Sequence, residues 1–151
     1  MTYAASTQVP VDKSKAEIER TLRRYGASSF AYYSDDRRAV VAFVKHDRQI
    51  RFSLPMPDPN DRQFTHHARG ARTSSAREAL YEQATRQKWR ALNLVIKAKL
   101  EAVEAGIVTF EDEFAMFMVL PGGETVAEHV IPMIDEVYAT GNASLLQIGP
   151  S

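Results

Sequence analysis

The fold is decided by one stretch, residues 75–105, which reads SAREALYEQATRQKWRALNLVIKAKLEAVEA. No Gly or Pro interrupts it before Gly106, which predicts a helix of about 30 residues and roughly 45 Å. Ser75 and Glu78 have the spacing of a capping box, which places the start of the helix there. Apolar residues form one stripe and a flank beside it, which predicts a central helix with neighbours on more than one side. The stripe contains Trp89, Leu92, Ile96, Leu100 and Val103, and the flank contains Ala91, Leu94, Val95, Ala98 and Ala102.

Upstream of this stretch, the sequence predicts a shorter helix and a three-stranded antiparallel meander. Ser14 and Glu17 form another capping-box pattern and Gly26 suits a left-handed C-terminal cap, so the first helix is placed at about residues 15–25. Runs rich in β-branched and aromatic residues follow at 30–33, 39–45 and 49–54, with the register open by one residue. Alternation places Val41, Phe43, Ile50, Phe52 and Leu54 on one face, and Tyr33, Val40, Ala42, Val44, Arg51 and Ser53 on the other.

A Pro-rich segment ends the third strand, because proline cannot donate to a strand ladder. We predict an irregular loop from there to about residue 73. Long irregular connections inside a small domain are commonly functional, and this one is rich in Arg and His. The loop at 55–73 is therefore a candidate contact surface.

Two further helices are predicted after the central one. Thr109 begins a short helix, and Thr125 begins a last helix through a capping box with Glu128. Pro132 bends the last helix and Gly141 ends it. Its predicted core positions are Val130, Met133, Ile134 and Val137, and residues 142–151 are apolar enough to dock on a surface. The predicted class is α+β, in the order helix, three-stranded antiparallel meander, long central helix and two C-terminal helices.

Length and composition fit a single domain covering residues 1–151. The chain is 44% apolar and 25% charged, enough to bury one core. It has no cysteine, no secretory pattern in its first ten residues and no apolar run near the roughly 20 residues of a membrane span. We therefore expect a cytoplasmic location, no membrane partner, and neither disulfides nor cysteine chemistry.

The net charge of zero hides a split along the chain. All 19 basic residues and ten of the 19 acidic ones lie in residues 1–99, whereas residues 100–151 hold nine acids and no Lys or Arg. One alternative is that the two parts neutralise each other across their own interface. The other is a basic face for an anionic partner and an acidic face for something else, such as another copy of the chain.

No catalytic or metal-binding pattern stands out. The sequence has no GxSxG, P-loop, GxGxxG or HExxH motif. His66 and His67 are adjacent and lack the spacing of metal ligands, and the acids at 111–113 fit the start of a helix. We expect no enzymatic activity, no catalytic or metal site and no cofactor.

Three stretches resemble a family of small bacteriophage and prophage proteins of unknown function. They are residues 9–20 (VPVDKSKAEIER) with the following Tyr25-Gly26-Ala27, residues 48–55 (RQIRFSLP), and residues 89–92 (WRAL) running into 96–101 (IKAKLE). The resemblance covers most of the chain and brings no activity, cofactor or site residue. It implies a phage or mobile-element accessory protein in a bacterial cytoplasm, with DNA metabolism, host takeover or defence evasion as the usual tasks.

Two functions stay open. The favoured one is an adaptor or inhibitor that binds a host or phage protein, through the Arg-rich loop or the acidic C-terminal third. A homo-oligomer fits the split charge equally well. The alternative is nucleic-acid binding, with phosphate contacts and a stacking surface at Tyr32 and Tyr33. The candidate contact residues are Arg37, Arg38, Arg48 and Arg51 in the meander, Arg62, Arg69 and Arg72 in the loop, and Arg86 and Arg90 in the central helix.

Overall fold

The computed structural model describes residues 7–142 and confirms the predicted α+β class and the order of its main elements. The three long strands form one antiparallel sheet, and a two-stranded sheet lies in the segment before the long helix. In chain order the elements are α1 (Val11–Arg24), β1 (Ser28–Ser34), β2 (Arg38–Lys45), β3 (Arg48–Pro55), α2 (Arg62–Thr65), β4 (His66–His67), β5 (Gly70–Ala71), α3 (Ser74–Glu104), α4 (Phe110–Phe114), a 3₁₀ turn (Ala115–Phe117) and α5 (Val126–Thr140).

The sheet has the inner and outer faces that alternation predicted, and its pairing settles the register that the sequence left open. Val41 lies opposite Phe52 and Phe43 opposite Ile50, so these side chains share the inner face. Arg51 lies opposite Ala42 on the outer face. The turn between β2 and β3 contains only His46 and Asp47, with φ angles of 52° and 59°. Two positive φ values are those of a tight hairpin turn that matches the strand twist, and such a turn fixes the register.

The inner face of the sheet packs against α1 and α3. Ile18 and Leu22 of α1 are fully buried, in the same cluster as the sheet residues and the predicted α3 stripe. Phe114 of α4 closes this core, with its ring centroid 6.2 Å from that of Phe43 and 6.3 Å from that of Phe52. The core therefore lies between one sheet face and the two helices.

The predicted start of α1 was wrong. The helix begins at Val11, after Pro10 in an extended conformation, so Ser14 lies inside it. Ser14 is fully buried, and its hydroxyl has no hydrogen-bond partner in residues 7–142. Glu17, the other half of the expected capping box, instead accepts hydrogen bonds from α3. Glu17 thus contacts α3 and does not cap α1 together with Ser14.

The other helix starts lie close to their predicted positions. α3 is capped by Thr73, whose Oγ1 accepts from the backbone N–H of Ala76 at 3.1 Å, and not by Ser75. Thr109 caps α4 as predicted, accepting from the N–H of Asp112 at 3.1 Å. The capping box of Thr125 and Glu128 at the start of α5 is confirmed in both directions.

The segment between β3 and α3 is more ordered than the predicted irregular loop. Asp61 caps the single turn of α2, and the buried ring of Phe64 meets Tyr81 of α3 edge-on at 5.9 Å. Gly70, with a φ of 120°, allows the tight connection between β4 and β5. One apolar anchor and one permissive glycine thus give this segment a fold of its own.

Two predictions about packing were wrong. The flank of Ala91, Leu94, Val95, Ala98 and Ala102, called the α3 flank below, was expected to be covered by neighbours. Val95 is 46% exposed and no residue of the flank is buried, because α1 and the sheet pack on the other sides of α3.

The core positions predicted in α5 are also only half-buried, and no residue of this helix is buried. The predicted docking of residues 142–151 lies outside the described residues, except for Asn142. Within residues 7–142, no helix combines the length and the apolar character needed to cross a membrane.

Candidate functional site

The structure does not bring the nine candidate arginines together on one surface. Arg37 and Arg38 lie at one end of β2 and Arg48 at the other, while Arg62 and Arg69 are exposed in the segment before α3. The remaining four make intramolecular contacts. Arg51 pairs with Glu128 at 3.4 Å, Arg72 donates to the His66 carbonyl at 3.1 Å, Arg86 donates to Gln83 at 2.6 Å, and Arg90 pairs with Glu17 at 2.6 Å.

The two tyrosines considered for base stacking face opposite sides of the sheet. Tyr32 lies opposite Val41 of the inner face, whereas Tyr33 lies opposite Val40 of the outer face. Partial burial raises the pKa of Tyr32 to about 12, with Glu19 adding to the effect. The two rings therefore do not form a shared stacking surface.

Tyr33 belongs to a small network in the turn between β1 and β2. Asp35 Oδ1 accepts from the backbone N–H groups of Arg37 and Arg38 at 2.8 and 2.9 Å, and its Oδ2 accepts from the Tyr33 hydroxyl at 3.0 Å. These hydrogen bonds lower the pKa of Asp35, and the bond to Asp35 raises the pKa of Tyr33. The acid in this turn thus organises the backbone beside the two arginines.

Cations from α1 and α3 converge in a cleft of about 390 Å³ between the two helices, called the α1–α3 cleft below. The spacing of four residues along α1 and seven along α3 places the cations on the facing sides of these helices. Only the packing of the helices brings them together, so spacing along the chain alone could not predict the cluster. The cleft is lined by Glu17, Arg20, Thr21 and Arg24 of α1 and by Arg90, Asn93, Leu94 and Lys97 of α3.

A single acid lies among these cations. Glu17 Oε2 accepts from Arg90 Nη1 at 2.6 Å and from Asn93 Nδ2 at 2.7 Å. Burial opposes the ionisation of Glu17, but these two hydrogen bonds and the nearby charges of Arg90 and Lys13 hold its pKa below the usual value. Glu17 therefore stays ionised and joins α1 to α3.

The other cations of the cleft are left without an acid. The side chains of Arg20 and Lys97 make no hydrogen bond or ion pair with any residue from 7 to 142. Arg24 lies over the Tyr25 ring at 5.2 Å. Because Glu17 is the one acid among four cations in the lining, the cleft keeps an excess of positive charge. Of these cations, only Arg90 is among the nine candidate contact residues predicted from the sequence.

α5 is attached to the rest of the described structure by its first turns. The backbone N–H of Val126 donates to the Met118 carbonyl at 2.9 Å, and Glu128 pairs with Arg51 on the outer face of the sheet. Beyond these contacts, Ile131 is 42% and Tyr138 is 86% exposed. The last six residues of the helix hold one half-buried side chain, that of Val137.

The charges on α5 are all negative. Glu128, Asp135 and Glu136 are exposed, and the side chains of Asp135 and Glu136 have no hydrogen bond or ion pair within residues 7–142. No Lys or Arg occurs between residue 100 and the end of the chain. The exposed side of α5 therefore combines apolar and acidic side chains.

The histidines do not assemble a metal site. In the described part of the chain, no group of three or more His, Asp or Glu side chains is placed to hold a metal ion. His129 Nδ1 lies 2.9 Å from a Glu124 carboxylate oxygen, and His46 lies 3.9 Å from one of Glu111. Each histidine thus meets at most one acid.

Comparison with known proteins gives no assignment. No family model matches the sequence, no curated protein matches it, and no solved structure matches the fold. The resemblance to phage and prophage proteins stays a prediction from the sequence.

Proposed function

We propose that this chain is a non-enzymatic accessory protein of a phage or mobile element, which binds a host or phage protein in the bacterial cytoplasm through α5. The observation that carries the proposal is that α5 buries none of its 15 residues. An amphipathic helix is stabilised mainly by packing its apolar side against something else. A helix that exposes Ile131 and Tyr138, and whose other apolar side chains are at most half-buried within residues 7–142, fits a surface that a partner completes.

The charge of α5 defines the partner's chemistry. Because Asp135 and Glu136 flank the apolar side chains without a cation nearby on the helix, the complementary surface is an apolar groove bordered by Lys or Arg. Tyr138 and Ile131 are the expected anchors, since large side chains at the centre of an interface contribute most of the binding energy. The absence of a catalytic motif in the sequence supports a binding role.

The test is capture from a bacterial lysate by the immobilised protein and by two variants. The double substitution Ile131→Ser/Tyr138→Ser should reduce the captured partner at least about tenfold, because both anchors are lost. The matched control is Ile107→Ser, since Ile107 is 80% exposed but lies between α3 and α4. Capture that is equal in all three proteins, or no capture by the wild type, would contradict the proposal.

A second candidate function, nucleic-acid binding, is favoured by one observation. The α1–α3 cleft is lined by Arg20, Arg24, Arg90 and Lys97 and by one acid, Glu17, and such an excess of cations favours phosphate contacts. Binding to labelled single- and double-stranded DNA in a salt series tests it. If the cleft binds phosphates, affinity falls steeply with salt and Arg20→Ala/Lys97→Ala weakens it, while Arg62→Ala/Arg69→Ala does not. Absence of binding at low salt would exclude this candidate.

A further inference from the structure

We propose that α5 docks on the α3 flank of a second copy of this chain, so that two copies form a dimer through two equivalent contacts. From the proposed function this inference takes only the role of α5 as a binding helix, and it names a second copy of the chain as the occupant of that helix when no other protein is bound. We infer a second copy as the occupant because the exposed side of α5 and the α3 flank are complementary and belong to the same chain.

The two surfaces match in their apolar character. On α5, Ile131 and Tyr138 are exposed on one side of the helix, seven residues apart. On α3, Val95 is 46% exposed and lies between the small side chains of Ala91 and Ala98. Large side chains on one helix and small ones on the other allow the axes to approach to the distance of about 8–10 Å seen in packed helices.

The charges beside the apolar residues are opposite in sign on the two surfaces. The α3 flank borders the α1–α3 cleft, since Leu94 belongs to both. Arg20 and Lys97 have no partner within residues 7–142, and the same is true of the side chains of Asp135 and Glu136 on α5. Docking α5 on the flank would place unpaired acids beside unpaired cations, whereas a basic surface would be repelled there.

We place the contact between copies, because α5 and α3 are held by different faces of the sheet in one copy. α5 is tied to the outer face by the pair of Glu128 with Arg51. α3 packs on the inner face, through Trp89 and Ile96 in the core. A two-fold dimer uses each surface once per copy and leaves neither unpaired.

The size of the contact also favours two copies of it. A helix of 15 residues is about 22 Å long. A single helix contact of that length falls short of the roughly 1,200–2,000 Å² buried in stable interfaces, and two contacts related by symmetry come closer to that size. In such a dimer, cations from the basic part of one copy would face acids from the acidic part of the other.

Charge reversal tests the dimer, with molar mass measured by light scattering at low and high salt. The wild type should have twice the 17.0 kDa of one chain, and salt should shift it toward the monomer. Asp135→Lys/Glu136→Lys and Arg20→Glu/Lys97→Glu should each weaken the dimer at least about tenfold, since each places like charges face to face. The matched control Arg62→Glu/Arg69→Glu changes two exposed cations in the segment before α3 and should stay dimeric.

Mixing the two interface variants gives the decisive measurement. The reversed α5 of the first variant faces the reversed cations of the second, and the unchanged surfaces face each other, so both contacts are restored. The mixture should form a heterodimer although neither variant dimerises alone. Circular dichroism of each variant separates loss of assembly from loss of folding.

Three results would overturn the inference: a monomeric wild type at low salt, a dimer that both interface variants retain, or a mixture that stays monomeric. Cover of the α3 flank by residues outside 7–142 of the same copy would produce the first of these. If the wild type is monomeric but lysate capture still depends on Ile131 and Tyr138, the proposed function stands and the inference fails. If the dimer forms and lysate capture is the same with and without Ile131 and Tyr138, the inference stands and the proposed function fails.

Discussion

Three side chains form a polar contact between α1 and α3, and Glu17 is its acceptor. Arg90 and Asn93 both donate to one of its oxygens, and Asn93 is 4% exposed. Removing the carboxylate would leave a buried amide without its acceptor, and such a loss costs about 1–3 kcal/mol. The residue therefore has more effect on stability than a typical surface acid.

We predict that Glu17→Ala lowers the free energy of unfolding by about 1–3 kcal/mol, measured by urea denaturation. The control is Glu19→Ala on the same helix. Glu19 pairs with Arg23 at 2.8 Å, but that pair is exposed, and its loss should cost no more than about 0.5 kcal/mol. Equal losses for the two variants would show that the contact with α3 adds nothing.

For Ser14, we expect that removing the polar group does not lower the free energy of unfolding. Its hydroxyl is fully buried and has no hydrogen-bond partner in the described part of the chain. A buried polar group without a partner destabilises the folded state, so Ser14→Ala should be neutral or should raise the unfolding free energy by up to about 1 kcal/mol. Thermal denaturation measures the change. A clear decrease in Tm would show that the hydroxyl is hydrogen-bonded in solution.

Among the elements, α5 and α3 should differ most in dynamics. α3 buries Trp89, Leu92 and Ile96, whereas α5 buries no residue. Amide protection follows packing, so in the monomer the N–H groups of α5 should exchange much faster than those of α3. Hydrogen exchange followed by mass spectrometry checks this. If the dimer forms as proposed, protection of α5 rises with protein concentration, while equally slow exchange of both helices in dilute samples would contradict the expectation.

Elements that follow local patterns were predicted well from the sequence. The alternation of Val41, Phe43, Ile50 and Phe52 fixed the inner face of the sheet, because a slip of one residue would expose all of them. The capping box at Thr125 was equally local, although the same pattern at Ser14 and at Ser75 did not form a cap. Both signals depend on residues within a few positions of each other.

Contacts between distant elements were not predictable in the same way. The α1–α3 cleft joins Arg20 to Lys97, and no spacing along the chain encodes that approach. The partial burial of α5 was also missed, since an apolar stripe has the same pattern whether its cover lies in the same chain or in a partner. The segment at 55–73 folds around the buried ring of Phe64, and Met56 packs against the core at its start.

For the whole molecule, we expect two carboxylates to make folding stability depend on pH in the acidic range. The pKa of Glu17 lies below its usual 4.5 and that of Asp35 below its usual 3.8, the first through Arg90 and Asn93 and the second through backbone N–H groups. A lowered folded-state pKa gives stability that is complete above the unfolded value and is lost as pH falls through the folded value.

We therefore predict that stability is constant near neutral pH and begins to fall on acidification past about pH 4.5. Glu17→Gln removes one of the two groups, so its stability should be lower at neutral pH and should vary less with acidity. Denaturant titrations at several pH values, followed by circular dichroism, measure both curves. Parallel curves for the two proteins would show that Glu17 has no part in the acid response.

The junction of α1 and α3 has an optical consequence. Trp89 is the single tryptophan of the chain, is 2% exposed, and has Lys15 Nζ 4.8 Å from its ring centroid. Because Lys15 belongs to α1 and Trp89 to α3, separation of the two helices removes a cation from the indole and admits water at once. The emission of Trp89 in the unlabelled protein therefore responds to opening of the helix pair, and it can distinguish that opening from detachment of α5.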